Sequence, residues 1–397
     1  MRRVYLDNNA TTPVLPEVLE AMRPYFGEHF GNASSIHHHG QETRAAVERA
    51  RGSVTALLSC RASEVVFTSG GTEGDNLAIF GLAREGDHVI TSTIEHHAVL
   101  NSCKRLAMQG CEVTYIPVDG RGLVDPADVK RAIRPNTKLI TIMLANNETG
   151  VVQSVAEIGK LAAEAEIYFH TDAVQAAGKI PIDVNEIGCD LLTISGHKLH
   201  GPQGVGALYV RKGTQLEPMV YGGSHERSRR AGTENVPGIV GLGKAAELAI
   251  ACFERDDRDD DRGRDRNDRK MAAARDRLER ELLEIEATGL NGEGAPRVPN
   301  TTNIYFDGVE GEALVIALDL KGLAVSTGAA CSSGAIEPSH VLTAMGLRPD
   351  RARASIRFSL GKQSTLEDVD FALALIPETV ERLRELSPVW PKNAVST

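Results

Sequence analysis

IYFHTDAVQAAGKIPIDVNEIGCDLLTISGHKLHGPQGVG, residues 167–206, decides the fold. It holds two runs, IYFHTDA (167–173) and DLLTISG (190–196), that are nearly continuous in apolar and β-branched residues. That composition suits strands buried on both faces. Outward from this stretch the same kind of run recurs in EVVFTS (64–69), HVITST (88–93), VTYIPV (113–118), KLITIML (138–144) and ALYVRK (207–212). Helical patterns at 73–84, 98–109, 126–134 and 153–165 fall between them. The alternation predicts an α/β fold: a mostly parallel sheet with helices on both sides. Ligands of such sheets sit beyond the carboxyl ends of the strands.

The 397 residues suffice for two domains. A net charge of −10 argues against a nucleic-acid surface, which needs a basic excess. No run approaches the roughly 20 apolar residues of a membrane span. The start, MRRVYLDNNATTP, lacks the apolar stretch of a secretory signal. The expectation is a cytoplasmic protein with no membrane association. The six cysteines, Cys60, Cys103, Cys111, Cys189, Cys252 and Cys331, have long, irregular gaps and form no CxxC pair. Each is read by default as a small, reduced packing residue.

Residues 244–286 read as one long helix whose middle, FERDDRDDDRGRDRNDRK (253–270), interleaves acids and bases. Interleaved signs suit a solvated helix with i,i+4 pairs. Strand-like runs follow in NIYF (303–306), LAVST (323–327) and SIRFSL (355–360), with helices near 338–346 and 366–386. A large domain is expected at 13–245, and a smaller α+β domain from 246–397 joined by residues 1–12.

Four segments after strands carry chemistry. In SGHKLHGPQGVG (195–206), Lys198 lies at a strand end among glycines. A lysine amine held there can form an imine with an aldehyde cofactor, although most lysines are surface solubilisers. In TSGGTEGDN (68–76), Gly70, Gly71 and Thr72 would offer backbone amides and a hydroxyl at a helix start. That is a phosphate site, or a plain glycine turn capped by Thr72. In FHTDAVQ (169–175), Asp172 ends a buried strand and needs a cationic partner. A protonated pyridine nitrogen would serve, the pairing that makes pyridoxal phosphate an electron sink; a helix cap is the plainer alternative. In IEHHAVL (94–100), His96 can stack on a planar ring and move protons. His97 and His37 to His39 are read as structural, since consecutive histidines lack metal-ligand spacing. No metal site is expected.

These segments, with YLDNNATTP (5–13), FGNASSIH (30–37), NNETG (146–150), RRAGTEN (229–235), STGAACSSG (326–334) and SIRFSLG (355–361), resemble the cysteine desulfurases of the NifS/IscS group, with wording closest to NifS. The similarity runs in order from residue 4 to about 390. It implies the fold type I, aspartate-aminotransferase-like architecture of pyridoxal 5'-phosphate enzymes. Removal of sulfur from L-cysteine would then give L-alanine and an enzyme-bound persulfide.

The resemblance implies roles for the matching residues. Lys198 would bind the cofactor, Asp172 pair with its ring nitrogen, Gln175 meet its ring oxygen, and His96 stack on the ring. Gly71, Thr72, Ser195 and His197 would hold the phosphate. Thr233 would reach it from the partner subunit of a homodimer. Asn147 would contact cofactor and substrate, and Arg357 would take the substrate carboxylate bidentately. Cys331, on a loop at about 326–336, would receive the sulfur and pass it to an acceptor such as an iron–sulfur scaffold protein. The TGAACSSG and RAGTEN wording separates the chain from the desulfurase class with RxGHHC and RAGTPN. An aminotransferase would have no need of the loop cysteine. A non-catalytic scaffold would have no need of Lys198, Asp172 and His96 together.

Overall fold

The computed structural model describes residues 2–253, 267–328, 338–388 and 390–391. Its strands are β1 (Val4–Tyr5), β2 (Val65–Thr68), β3 (His88–Ser92), β4 (Glu112–Ile116), β5 (Thr137–Thr141), β6 (Tyr168–Asp172), β7 (Leu191–Ser195), β8 (Gly206–Val210), β9 (Thr288–Leu290), β10 (Thr301–Phe306), β11 (Leu323–Ala324) and β12 (Ser355–Ser359). A seven-stranded sheet has the order β2-β8-β7-β6-β5-β3-β4. β8 runs antiparallel to both its neighbours, and every other pairing is parallel.

The strand sequences explain why this sheet lies between two apolar layers. Side chains alternate along a strand. Phe67, Ile90, Ile140, Phe169 and Ile194 enter one core. At alternate positions of the same strands Val66, Val89, Leu139 and Leu191 enter another on the opposite face. A strand with apolar residues on both sides of the pleat can be buried only in this way. From β3 the chain moves outward to β4, and from β5 it moves the other way through β6 to β7. The crevice between the ends of β3 and β5 is therefore a topological switch point, the place where such sheets bind ligands.

A third core belongs to the remaining strands. Leu6, Leu278, Phe306, Phe358 and Ile376 meet there, behind the antiparallel sheet β12-β10-β9 and the parallel pair β1-β11. Asp7 bridges to Ser359, so residues 4–9 run from this region to the large sheet.

Two expectations on elements need correction. LAVST yields only the two-residue strand Leu323–Ala324, because its partner Val4–Tyr5 is no longer and Ser326 bridges instead to Arg357. The long helix begins earlier, at Val236, and is described as Val236–Phe253 and Asn267–Leu282. Most of the charged stretch 253–270 lies outside the described residues. Among the described residues, Val236–Phe253 is also the one helix long and apolar enough to cross a membrane. Half of it is buried, and it lies along the helix His38–Leu58, the setting of a core helix.

Candidate active site

A cavity of about 440 Å³ opens at the carboxyl ends of the parallel strands. Lys198, Asp172, His96, Ser195, His197, Gly71, Thr72, Asn147, Gln175 and Arg357 all line it. Ten of the twelve residues singled out from the sequence thus share one chamber. Thr233 is exposed and does not line it. Cys331 lies outside the described residues, as does most of the loop expected at 326–336. Ser326 and Gly328, which precede it, line the cavity.

The floor is set by β6 and β7. Asp172 is the last residue of β6 and is buried. Its Oδ1 accepts from the Val174 amide at 2.8 Å, which shapes the turn after the strand. Burial pushes its carboxyl up to about 6, against the pull of that hydrogen bond and of Lys198. Lys198 lies three residues beyond β7 in the short helical turn Gly196–Lys198. Its Nζ donates to the carbonyls of Asn9 and Ala10. Burial, then Arg357, brings its amine down to about 8, with Asp7 and Asp172 opposing. An amine so depressed is a usable nucleophile near neutrality.

His96 forms the N-cap of the helix His97–Met108, where its Nδ1 accepts from the Ala98 amide at 3.1 Å. Burial first, then the Lys198 charge, lowers the imidazole to about 4. The ring is neutral at working pH, with its other edge free for the cavity.

The phosphate end is built at the start of the helix Gly71–Phe80. Its N-cap is Gly70, not Thr72, with φ +154°. That conformation requires glycine and turns the first amides of the helix toward the chamber. Ser195 Oγ is buried there with no hydrogen-bond partner. His197 Nδ1 lies 3.1 Å from Thr11 Oγ1.

At the opposite end, Arg357 comes from the middle of β12. Its Nη1 donates to the Asn147 carbonyl at 2.9 Å and its Nη2 to Asp7 Oδ1 at 2.7 Å. Arg357 Nε and Asn147 Oδ1 are buried without partners. Buried polar atoms are rarely left so, and an anionic or amino ligand would satisfy both.

Sequence reading missed several residues here. Asn9 is 1% exposed. Its backbone carbonyl receives Gln175 and Lys198, while its side chain meets Lys179, Thr301 and Asn300. Asp7 orients Arg357. Asp75, a further cavity residue, is buried with an unpartnered Oδ1. Burial, then Asp172, drives its carboxyl far above the usual range. The LDNNATTP wording was the one available signal for Asp7 and Asn9. Among the described residues five cysteines are free, Cys103, Cys111 and Cys189 buried and Cys60 and Cys252 half-buried.

Residues 4–371 match the class-V aminotransferase family. The chain belongs to that family. Its sequence is 51% identical to a cysteine desulfurase IscS of Methanosarcina thermophila, over 99% of this chain and 95% of that one. A solved NifS-like protein superposes with a TM-score of 0.86 at 36% identity, covering 96% of this chain and all of the other. A second solved structure, SspA in complex with cysteine, gives a TM-score of 0.79 at 38% identity, over 91% of this chain and all of that one. The class-V aminotransferase architecture is fold type I, as the sequence led us to expect, and its cofactor is pyridoxal 5'-phosphate. The residues present fit that group. The chamber offers an amine for its aldehyde, a buried carboxyl for its ring nitrogen, and a helix start beside an unpartnered hydroxyl for its phosphate.

Proposed function

We propose that this chain is a cysteine desulfurase, converting L-cysteine to L-alanine and leaving the sulfur as a persulfide on Cys331. One observation carries the reading. Lys198, Asp172, His96, Ser195, Asn147 and Arg357 face a single chamber, with three of their polar atoms buried and unpartnered.

When bound, the cofactor supplies an aldehyde carbon and an electron sink. The protein does the rest. Arg357 and Asn147 hold the substrate carboxylate and so fix its Cα against Lys198 Nζ. Lys198 takes the α-proton as a neutral amine, a role its depressed proton affinity suits. Neutral His96, which lines the same chamber, would face the cofactor ring and relay protons. The Cys331 thiolate attacks the substrate sulfur, the carbon–sulfur bond breaks, and a proton replaces sulfur on Cβ. Cysteine and one thiol become alanine and one persulfide, so atoms and electrons balance.

A homodimer is part of this reading, with Thr233 serving the partner's chamber. Phe30, Ile36 and Tyr221 are 71%, 91% and 82% exposed. Ser34 Oγ stands 3.4 Å from His225 Nδ1, which joins their two segments into one face. An exposed apolar face of this kind suits an interface. The acceptor is a protein that collects sulfur, such as an iron–sulfur scaffold, and the setting is the cytoplasm. The proposed division into 13–245 and 1–12 with 246–397 is supported by the separate core of Leu6, Leu278, Phe306 and Phe358.

The test loads the full-length protein with cofactor, adds L-cysteine, and measures alanine and persulfide. Cys331→Ala should keep the visible absorption and still bind cysteine, yet form no persulfide. Sulfide release by that variant at the wild-type rate would sink the nucleophile assignment.

A further inference from the structure

Lys179 lies in the turn that follows β6, four residues beyond Gln175. Its Nζ donates to Asn9 Oδ1 at 2.9 Å and to Gln175 Oε1 at 2.6 Å. Both acceptors are neutral amides, and both residues are buried. Lys179 is half-buried, and a lysine amine drawn inward is normally met by a carboxylate, which makes a pair of amide oxygens an unusual setting.

An amide side chain has two nearly isosteric ends, one a donor and one an acceptor. Unless something holds it, it can turn either toward a ligand. A lysine head is held here between two carbonyl oxygens. Gln175 Oε1 is thereby engaged, and its nitrogen must point elsewhere. That nitrogen donates to the Asn9 carbonyl at 3.0 Å, which uses one of its two hydrogens. Asn9 is locked in the same way. Its Oδ1 faces Lys179, and its Nδ2 donates to Thr301 Oγ1 at 2.9 Å.

We infer that Lys179 is a positioning residue: it fixes the Gln175 amide so that an N–H, and not a carbonyl, faces the cofactor site. The inference rests on the proposed reading that Gln175 meets the cofactor's ring oxygen. That oxygen carries negative charge and takes a donor; a flipped amide would repel it. Burial, with Lys198 and Arg357 nearby, holds the Lys179 amine well below the usual lysine range. His200 also faces it. The arrangement tolerates either protonation state, because even a neutral amine has the two N–H groups its two acceptors need.

The test follows the visible absorption of the cofactor-loaded protein against pH. An N–H on the ring oxygen stabilises its anionic form and lowers the pH at which the band changes. Gln175→Glu presents only acceptors and mimics the flipped amide. It should raise the midpoint by roughly half to one pH unit, the size of a single hydrogen bond. Lys179→Met should raise it in the same direction. The double variant should go no further than the larger single effect, since both act on one contact. Lys179→Arg, which keeps donors at that point, should restore most of the wild-type midpoint. Thermal unfolding of the cofactor-free proteins checks the fold, with Lys179→Ala in place of Lys179→Met if the methionine strains the core. A shift with Gln175→Glu but none with folded Lys179→Met or Lys179→Ala overturns the role of Lys179. No shift with Gln175→Glu, while Lys198→Ala still abolishes the band, overturns the reading of Gln175 and the inference with it.

Discussion

Arg357 and Asp7 form a partly buried ion pair across the rim of the chamber, with Nη2 2.7 Å from Oδ1. The contact joins β12 to the chain's first residues, 350 positions away in sequence. It leaves the guanidinium anchored on one side and its Nε open on the other. Arg357 is thus held in position before any substrate arrives, which lowers the ordering cost of binding. Arg357→Lys cannot reproduce the planar fork. It should raise KM for L-cysteine by roughly tenfold or more, about one charge-assisted hydrogen bond. Asp7→Asn should give a smaller rise in KM, with kcat nearly unchanged. Steady-state kinetics separates the two, and an unchanged KM for both would remove Arg357 from the substrate site.

Loading of the cofactor should depend on pH through Lys198. Only the neutral amine attacks an aldehyde. With that amine at about 8, the loading rate of cofactor-free protein should rise through pH 8 and level off well below the 10.5 of a free lysine. The same shift has a stability sign. Between about 8 and 10.5 the unfolded chain holds more protons at this residue than the folded one. Its contribution to folding stability therefore improves as pH rises through that window. A stopped-flow pH series on the cofactor-free enzyme checks the rate, and a plateau reached only above pH 10 would contradict it.

Gly74 lies in the helix Gly71–Phe80 and is buried. The structure gives a local reason for glycine. A Cβ there would lie 2.6 Å from Thr193 Cγ2. Thr193 cannot swing away freely, because its Oγ1 holds His170 Nε2 at 3.0 Å. Gly74→Ser should therefore destabilise the protein by about 1–3 kcal/mol, the usual range for overpacking a core. Thr193→Ser removes the offending methyl, so the double variant should recover much of the loss. Chemical denaturation of the four proteins makes the comparison; simple additivity would show that the two positions do not collide.

Glu95 is buried below the chamber, receiving Ser92 Oγ at 2.6 Å and the Met143 amide at 3.0 Å. Burial raises its carboxyl to about 8, so at pH 7 it is largely protonated. A raised carboxyl favours the fold at low pH and loses that advantage as pH climbs from 4.5 to about 8. Glu95→Gln removes the titration and keeps the shape. Its melting temperature relative to wild type should therefore improve between pH 5 and pH 8.5. A constant difference across that range would mean the carboxyl is not perturbed.

The large sheet was legible because its strands declare themselves locally. Runs such as KLITIML and DLLTISG have no polar face, and only a doubly covered sheet accepts them. Lys198, Asp172 and His96 were legible for a related reason: each ends such a run or follows it within a few residues, where α/β sheets place their chemistry. Asn9, Asp7 and Lys179 were not read as site residues. Their partners lie from four to 350 residues distant, and no spacing rule connects LDNN to Gln175 or Arg357. The helix His38–Leu58 also passed unnoticed. Gly40, Gly52 and the buried Arg51, paired to Glu226, break the apolar stripe that would have announced it.

The strand pair β1-β11 and the contacts of residues 7–9 with Ser359 bear on how the protein is made. The Asn8 amide donates to the Ser359 carbonyl at 3.1 Å, and the Asn9 amide to Ser359 Oγ at 2.9 Å. Those bonds fix the Asn9 carbonyl that receives Lys198. During synthesis Asn9 must wait for 350 further residues before Ser359 appears. The wall of the chamber beside Lys198 is the last part to be finished. A ribosome stalled before residue 359 would hold a chain with its central sheet complete and its cofactor site still open.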